Sequence, residues 1–235
     1  MPSTLVSPWS LLGTVAAQRR GGIAARLDLA RPEQGIAVAG HDVEADHLLG
    51  LDVGTADAAV LTDHWLRGRD VTGVYEPADA RLLRATAMWR SLDDHDGIVA
   101  WEVVVSAQTS LLETEAAVAV VSTVAASDLL WAADEGPWRT VGNDTAFPRA
   151  ATRVLARRGD GSVLVAVHPA DARGIAVERD GTRPRIACRL FASAVEKGVL
   201  LRSRVLAASG PAAGNEAWAM RVAADFATSP PPLTT

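Results

Sequence analysis

The sequence predicts an all-β fold, a large antiparallel β-sandwich, on three observations. Short runs rich in β-branched residues recur at 103–105, 118–121 and 163–167, and such residues suit a pleated, half-buried surface. Turn signals separate the runs: Arg31-Pro32-Glu33, Glu76-Pro77, residues 93–97, Glu135-Gly136-Pro137, Gly159-Asp160-Gly161, Asp180-Gly181 and Gly210-Pro211. Gly and Asp reach positive φ at low cost, which makes the Gly-Asp-Gly and Asp-Gly pairs hairpin turns. Apolar and polar residues alternate between turns, and the intervals leave little room for crossover helices, which disfavours an α/β sheet.

Taken from the N-terminus, the first feature is an internal likeness. Residues 22–38, GIAARLDLARPEQGIAV, and 161–177, GSVLVAVHPADARGIAV, each follow an Arg-Arg pair and each end on Gly-Ile-Ala-Val. Duplication into two similar β halves and chance stand level as explanations, because identity elsewhere is low. Residues 61–76, LTDHWLRGRDVTGVYE, are the chemically densest stretch. In an extended chain Asp63, Trp65, Arg67 and Arg69 share one face, provided no bulge intervenes at Gly68. A flat apolar ring beside planar hydrogen-bond donors and a carboxylate suits a sugar or a small acidic ligand.

Further along, Leu83, Ala85, Ala87 and Trp89 face inward, leaving Arg84, Thr86, Met88 and Arg90 on the other side. In residues 98–105, Trp101 joins Val99, Val103 and Val105, with Glu102 opposite. Residues 196–206 read as one long strand, with Glu196, Arg202 and Arg204 on one side and Val199, Leu201 and Val205 on the other. Charge along one face of a long strand fits the concave surface of a large sheet. Residues 113–124 and 215–228 carry mixed signals and are both read as strands, although the spacing of Trp218, Val222 and Phe226 also suits a helix. Three prolines keep 229–235 out of regular structure. The expected organisation is one β-sandwich domain over 1–228 and an extended tail over 229–235.

The totals bound the function. In 235 residues, 49% are hydrophobic and 22% charged, enough for a sizeable core. A net charge of −5 gives no electrostatic reason to expect a nucleic-acid partner. The first residues lack a basic segment followed by an apolar one, and no run approaches the roughly 20 apolar residues of a membrane helix. A cytoplasmic protein with no membrane partner is expected. The single cysteine, Cys188, excludes an intrachain disulfide and a cysteine-rich zinc site, and its place in an alternating run makes it a buried, inert thiol.

Five histidines, His41, His47, His64, His95 and His168, show no metal-ligand spacing, so neither a metal nor another cofactor is expected. His41 and His47 lie in an acidic stretch that reads as an exposed loop, and His95 in SLDDHDG as a hairpin tip. His64, His168 and Glu196 are the candidate catalytic residues, since a neutral imidazole is the usual proton carrier near neutral pH. Their structural alternatives are a carboxylate-paired histidine, a turn cap and a surface salt-bridge strip. Candidate substrate-binding residues are Trp65, Arg67, Arg69, Arg202 and Arg204. Among the seven tryptophans, Trp65, Trp131 and Trp138 neighbour charged or turn residues and are expected to be partly exposed.

An all-β chain of this size, with a His-bearing strand (His64-Trp65) and a late Glu196, resembles the galactose mutarotase-like supersandwich over roughly residues 11–226. That resemblance implies a fold shared with aldose epimerases and with polysaccharide-lyase and glycosidase domains. It implies His64 or His168 as general acid and Glu196 as base at a sugar's anomeric hydroxyl. Two readings follow. One is a carbohydrate-active protein, epimerase-like or lyase-like, acting on a sugar or uronate by His/Glu chemistry. The other is a non-catalytic sandwich that binds a glycan or a protein, or a structural domain of a homo-oligomer. An enzyme requires a His and a carboxylate converging on one empty position; a binding protein requires a Trp and Arg platform without such a pair.

Overall fold

The computed structural model describes residues 7–20, 22–39, 45–54, 59–77, 83–115, 117–134, 136–142, 147–171, 174–179, 181–191 and 194–232. His41 lies outside the described residues, as do Asp180 and the last three residues of the tail.

The chain begins with β1 (Ser10–Leu12), β2 (Val15–Arg20), β3 (Ile23–Asp28), β4 (Ile36–Ala39) and β5 (Asp46–Asp52). It continues through β6 (Val60–Arg67), β7 (Asp70–Glu76), β8 (Leu83–Ser91), β9 (Val99–Thr109) and β10 (Glu113–Glu115). Next come β11 (Ala119–Thr123), β12 (Asp128–Ala132), β13 (Arg139–Thr140), β14 (Arg153–Arg158) and β15 (Gly161–Val167). The last elements are β16 (Ile175–Glu178), β17 (Arg185–Arg189), β18 (Ala194–Glu196), β19 (Leu201–Pro211) and the helix α1 (Asn215–Thr228).

These strands form an all-β sandwich of two large antiparallel sheets. One has eight strands, in the order β1-β2-β3-β4-β5-β11-β17-β16, and the other nine, β13-β12-β14-β15-β19-β9-β8-β7-β6. A small ribbon pairs β10 with β18.

The alternation read from the sequence sets the core. Val99, Trp101, Val103, Val105 and Ala107 of β9 point into the sandwich, with Leu83, Ala85, Ala87 and Trp89 of β8 beside them. Leu27, Ile36, Leu48, Leu51, Val120, Ile186 and Cys188 meet them from the eight-stranded sheet. Burial pushes the Cys188 thiol up to about 12, leaving almost no thiolate at neutral pH. A thiol reagent such as Ellman's is therefore expected to titrate no cysteine until the protein is unfolded, and stoichiometric reaction of the native protein within minutes would contradict this burial.

A second apolar cluster occupies the opposite, outer face of the nine-stranded sheet. Ile98, Ala100, Leu130, Leu155, Leu164, Ala166, Leu206 and Ala208 pack there under Trp218, Ala219, Ala223 and Phe226 of α1. Strands β9, β15 and β19 are thus covered on both faces over much of their length, which is why they read as near-continuous apolar runs. Gly210 admits the helix: a Cβ there would lie 2.9 Å from the Trp218 ring.

Three expectations need correction. Residues 215–228 form a helix, not a strand; Trp218, Ala219, Ala223 and Phe226 fall on one side at helical spacing, and five alanines favour the helical backbone. Residues 196–206 are not one strand, because Gly198 at φ +83 turns the chain between β18 and β19. His47 does not lie in a loop: Asp46–Asp52 is β5, with Asp46 buried against Arg158, Nη1 to Oδ2 2.7 Å. The two similar segments also pair differently. β3 and β4 are neighbours in one sheet, whereas β15 and β16 lie in separate sheets. The shared pattern is a local strand, one-turn helix and strand, without shared topology.

Candidate functional site

Helix α1 covers only part of the outer face of the nine-stranded sheet. Where it stops, β6, β7, β8 and the far halves of β9 and β19 form the floor of a cleft of about 800 Å³. The stretch 61–76 supplies one side of it. β6 and β7 are joined through Gly68 and Arg69, a two-residue turn with Gly68 at φ +58. No bulge occurs at Gly68; the register instead shifts between Leu61 and Asp63. Trp65, Arg67 and Arg69 all line the cleft, Trp65 with 41% of its surface exposed.

Two ion pairs, one across strands and one between a turn and a loop, stiffen the wall. Arg90 grips Asp70 with two bonds of 2.7 Å, Nε to Oδ1 and Nη2 to Oδ2. The two residues are directly opposed on β8 and β7, and the bidentate contact raises the Arg90 guanidinium above its ordinary value. Arg69 Nη2 meets Asp93 Oδ1 at 2.5 Å, and this bond holds the Asp93 carboxyl below the usual carboxylate range. Across the cleft Arg202 Nε donates to Ser106 Oγ at 3.4 Å. The lining holds four arginines, Arg67, Arg69, Arg90 and Arg202, against two aspartates, Asp70 and Asp93. A chain of net charge −5 thus carries an excess of positive charge here, with Thr72, Thr86, Ser106 and Gln108 adding neutral hydrogen-bonding groups.

Of the expected binding residues, the cleft brings together Trp65, Arg67, Arg69 and Arg202. Arg204 is different. Its guanidinium is buried and bonded to Glu102 Oε1 at 2.6 Å, to the Ser229 carbonyl at 2.8 Å and to Ser229 Oγ at 2.7 Å, and it lies over the Phe226 ring at 5.0 Å. It anchors the end of α1.

The expected catalytic residues do not converge. His64 lies one residue out of phase with Trp65 and places its Nε2 3.0 Å from the Gly13 carbonyl, which ties β6 to the β1–β2 turn. His168 caps the start of the turn after β15, its Nδ1 accepting from the Ala170 amide at 3.3 Å, with its ring edge-on to Phe226. Strands β15 and β6 stand five positions apart, about 24 Å at the usual strand spacing. Glu196 is exposed on the small ribbon, directly opposite Glu113. None of the three lines the cleft. His95 sits at a hairpin tip, as read from the sequence, bridged to Ile98 around Asp96 and Gly97 at φ +54 and +75. Trp131 and Trp138 are half-buried and stacked by Arg139 and Arg153, away from the cleft.

Sequence reasoning missed Asp70, Arg90, Ser106 and Gln108 as lining residues. The signal existed in part: the outward set of β8, with Thr86, Met88 and Arg90, is the cleft floor. Among the described residues, no group of three or more His, Cys, Asp or Glu is placed to hold a metal ion, and no helix is long and apolar enough to cross a membrane.

No protein-family model matches the chain, and no curated protein matches it. Among solved structures, 30 chains match. One is a heparinase III, the BT4657 gene product with methylated lysines, at a TM-score of 0.35 and 10% identity, covering 84% of this chain and 32% of that one. The chain therefore spans about a third of the length of that structure.

Proposed function

We propose that this chain is a carbohydrate-binding β-sandwich, of galactose mutarotase-like architecture, that holds an acidic sugar on the outer face of its nine-stranded sheet. One observation carries the reading. An exposed indole, Trp65, shares a cleft with four arginines and two aspartates in a chain that is acidic as a whole. An indole face supplies the apolar contact that one side of a sugar ring seeks, and guanidinium groups match a carboxylate or phosphate in pairs. A cleft of about 800 Å³ is within the usual range for small-ligand sites.

The proposal is one of binding. The epimerase-like or lyase-like chemistry expected from His64, His168 and Glu196 has no support in their placement, and those residues have no part in it. In a titration with the glucuronate-containing disaccharide and octasaccharide of hyaluronan, Trp65→Ala is expected to weaken binding about tenfold, equivalent to roughly 1.4 kcal/mol. Arg67→Ala and Arg202→Ala are expected to act in the same direction, and more strongly at low salt, because exposed charges are screened. Unchanged affinity in Trp65→Ala, or no affinity in the wild type, would remove the reading.

A further inference from the structure

We infer that the ligand is a chain of sugar rings lying along β9, with its acidic groups concentrated at the Trp65 end, and not a single ring. The inference rests on the binding role proposed for the Trp65 cleft. A second cleft, of about 720 Å³, opens between α1 and the hairpin around Asp96, and it shares Arg90, Leu92 and Asp93 with the first. The two form one groove, because the outward side chains of a single strand run beneath both. Gln108, Ser106 and Val104 lie under the first cleft, and Glu102, Ala100 and Ile98 under the second. Ten residue steps from Gln108 to Ile98 make a floor about 34 Å long at the usual rise per residue. Each half alone has the size of a complete small-ligand site, so one ring would leave most of the groove in water.

Charge along the groove sorts the occupant. The first cleft has four arginines against two aspartates. The second has three arginines against four carboxylates. A uniformly anionic chain, such as single-stranded nucleic acid, would set phosphates against the exposed carboxylates of Asp93, Asp96 and Asp225 along half its length. A chain in which acidic rings alternate with neutral ones can place a neutral ring there and keep its carboxylates near the arginines of the first cleft. Glu102 and Arg204 at the junction are buried and bonded to each other at 2.6 Å, so the floor there is already neutralised.

The test compares the hyaluronan disaccharide with the octasaccharide. The octasaccharide is expected to bind at least about thirtyfold more tightly, about 2 kcal/mol. Asp225→Trp, which fills the second cleft from an exposed position on α1, is expected to erase most of that advantage and leave the disaccharide affinity unchanged. Arg221→Trp, also exposed on the rim, provides an independent obstruction, and thermal unfolding checks that each variant folds. An octasaccharide advantage that survives both obstructions overturns the inference while leaving the Trp65 cleft intact. Polyglutamate of matched charge binding as tightly as the octasaccharide overturns the sugar chain as occupant. Failure of both saccharides to bind removes the Trp65 reading and this inference with it.

Discussion

Replacing Arg204 with alanine is expected to destabilise the protein by about 3–5 kcal/mol, the usual cost of stripping one partner from a buried ion pair. Arg204 is 5% exposed and Glu102 3%, and their contact of 2.6 Å lies beneath the end of α1. The substitution leaves the Glu102 carboxylate without that partner in a setting where water cannot replace it. It also removes two bonds to Ser229, at the carbonyl and the hydroxyl, and the cation over Phe226. The whole C-terminal end of α1 is thereby loosened. The pair itself is not a large net source of stability, because both charges were desolvated to form it. The double substitution Glu102→Leu with Arg204→Met is accordingly expected to lie closer to wild type than either single change. Urea unfolding midpoints at constant slope measure all five proteins: wild type, Arg204→Ala, the double substitution and its two single changes. A loss below about 1 kcal/mol in Arg204→Ala would mean that water reaches Glu102 and that the pair behaves as a surface bridge.

Arg204 also marks how far the sequence could be read. Alternation placed Arg202 and Arg204 on one face of a strand, and both do point to the outer side of β19. Which of them stays open to the cleft depends on what covers that face, and α1 covers it only from Arg204 onward. Periodicity assigns faces within a strand, but it is silent about which distant strand lies alongside. β9 pairs with β19 about a hundred positions later in the chain, Val103 opposite Val205, so the bond from Glu102 to Arg204 has no local signature. The inward sets of β8 and β9 were legible because burial imposes a strict period of two. α1 was not, since its large residues sit at even positions and satisfy both periods. The same period of two set Trp65, Arg67 and Arg202 on outward faces, where they line the cleft, and Arg69 reaches it from the turn. His64, His168 and Glu196 stand apart, on β6, after β15 and on β18, because no local pattern constrains the mutual distances of three such residues.

The sandwich should be equally sensitive at Trp89. Trp89→Ala is expected to cost about 3–5 kcal/mol, the range for deleting a large buried aromatic, and Trp89→Phe about 1–3 kcal/mol, the cost of an orphaned buried acceptor. The ring is wholly buried and packs edge-on to Tyr75, centroids 6.5 Å apart. Its indole N–H crosses the core from β8 and donates to the Leu49 carbonyl on β5 at 2.9 Å. Leu49 is a residue that needs such support. It adopts φ +58, where side chains with a Cβ are strained, at a register shift between β5 and β11. Its amide is removed from the ladder and donates to Ser122 Oγ at 3.1 Å. The indole and the serine together satisfy both backbone groups of the irregular residue. Phenylalanine restores most of the volume but not the N–H, so the difference between the two variants separates cavity from hydrogen bond. Far-ultraviolet dichroism in urea is the appropriate probe, since the substitution removes a fluorophore. If phenylalanine proves as damaging as alanine, the bond to Leu49 outweighs the packing. If both lie within about 1 kcal/mol of wild type, β5 holds its irregular register without help from the other sheet, and Trp89 is not what couples them.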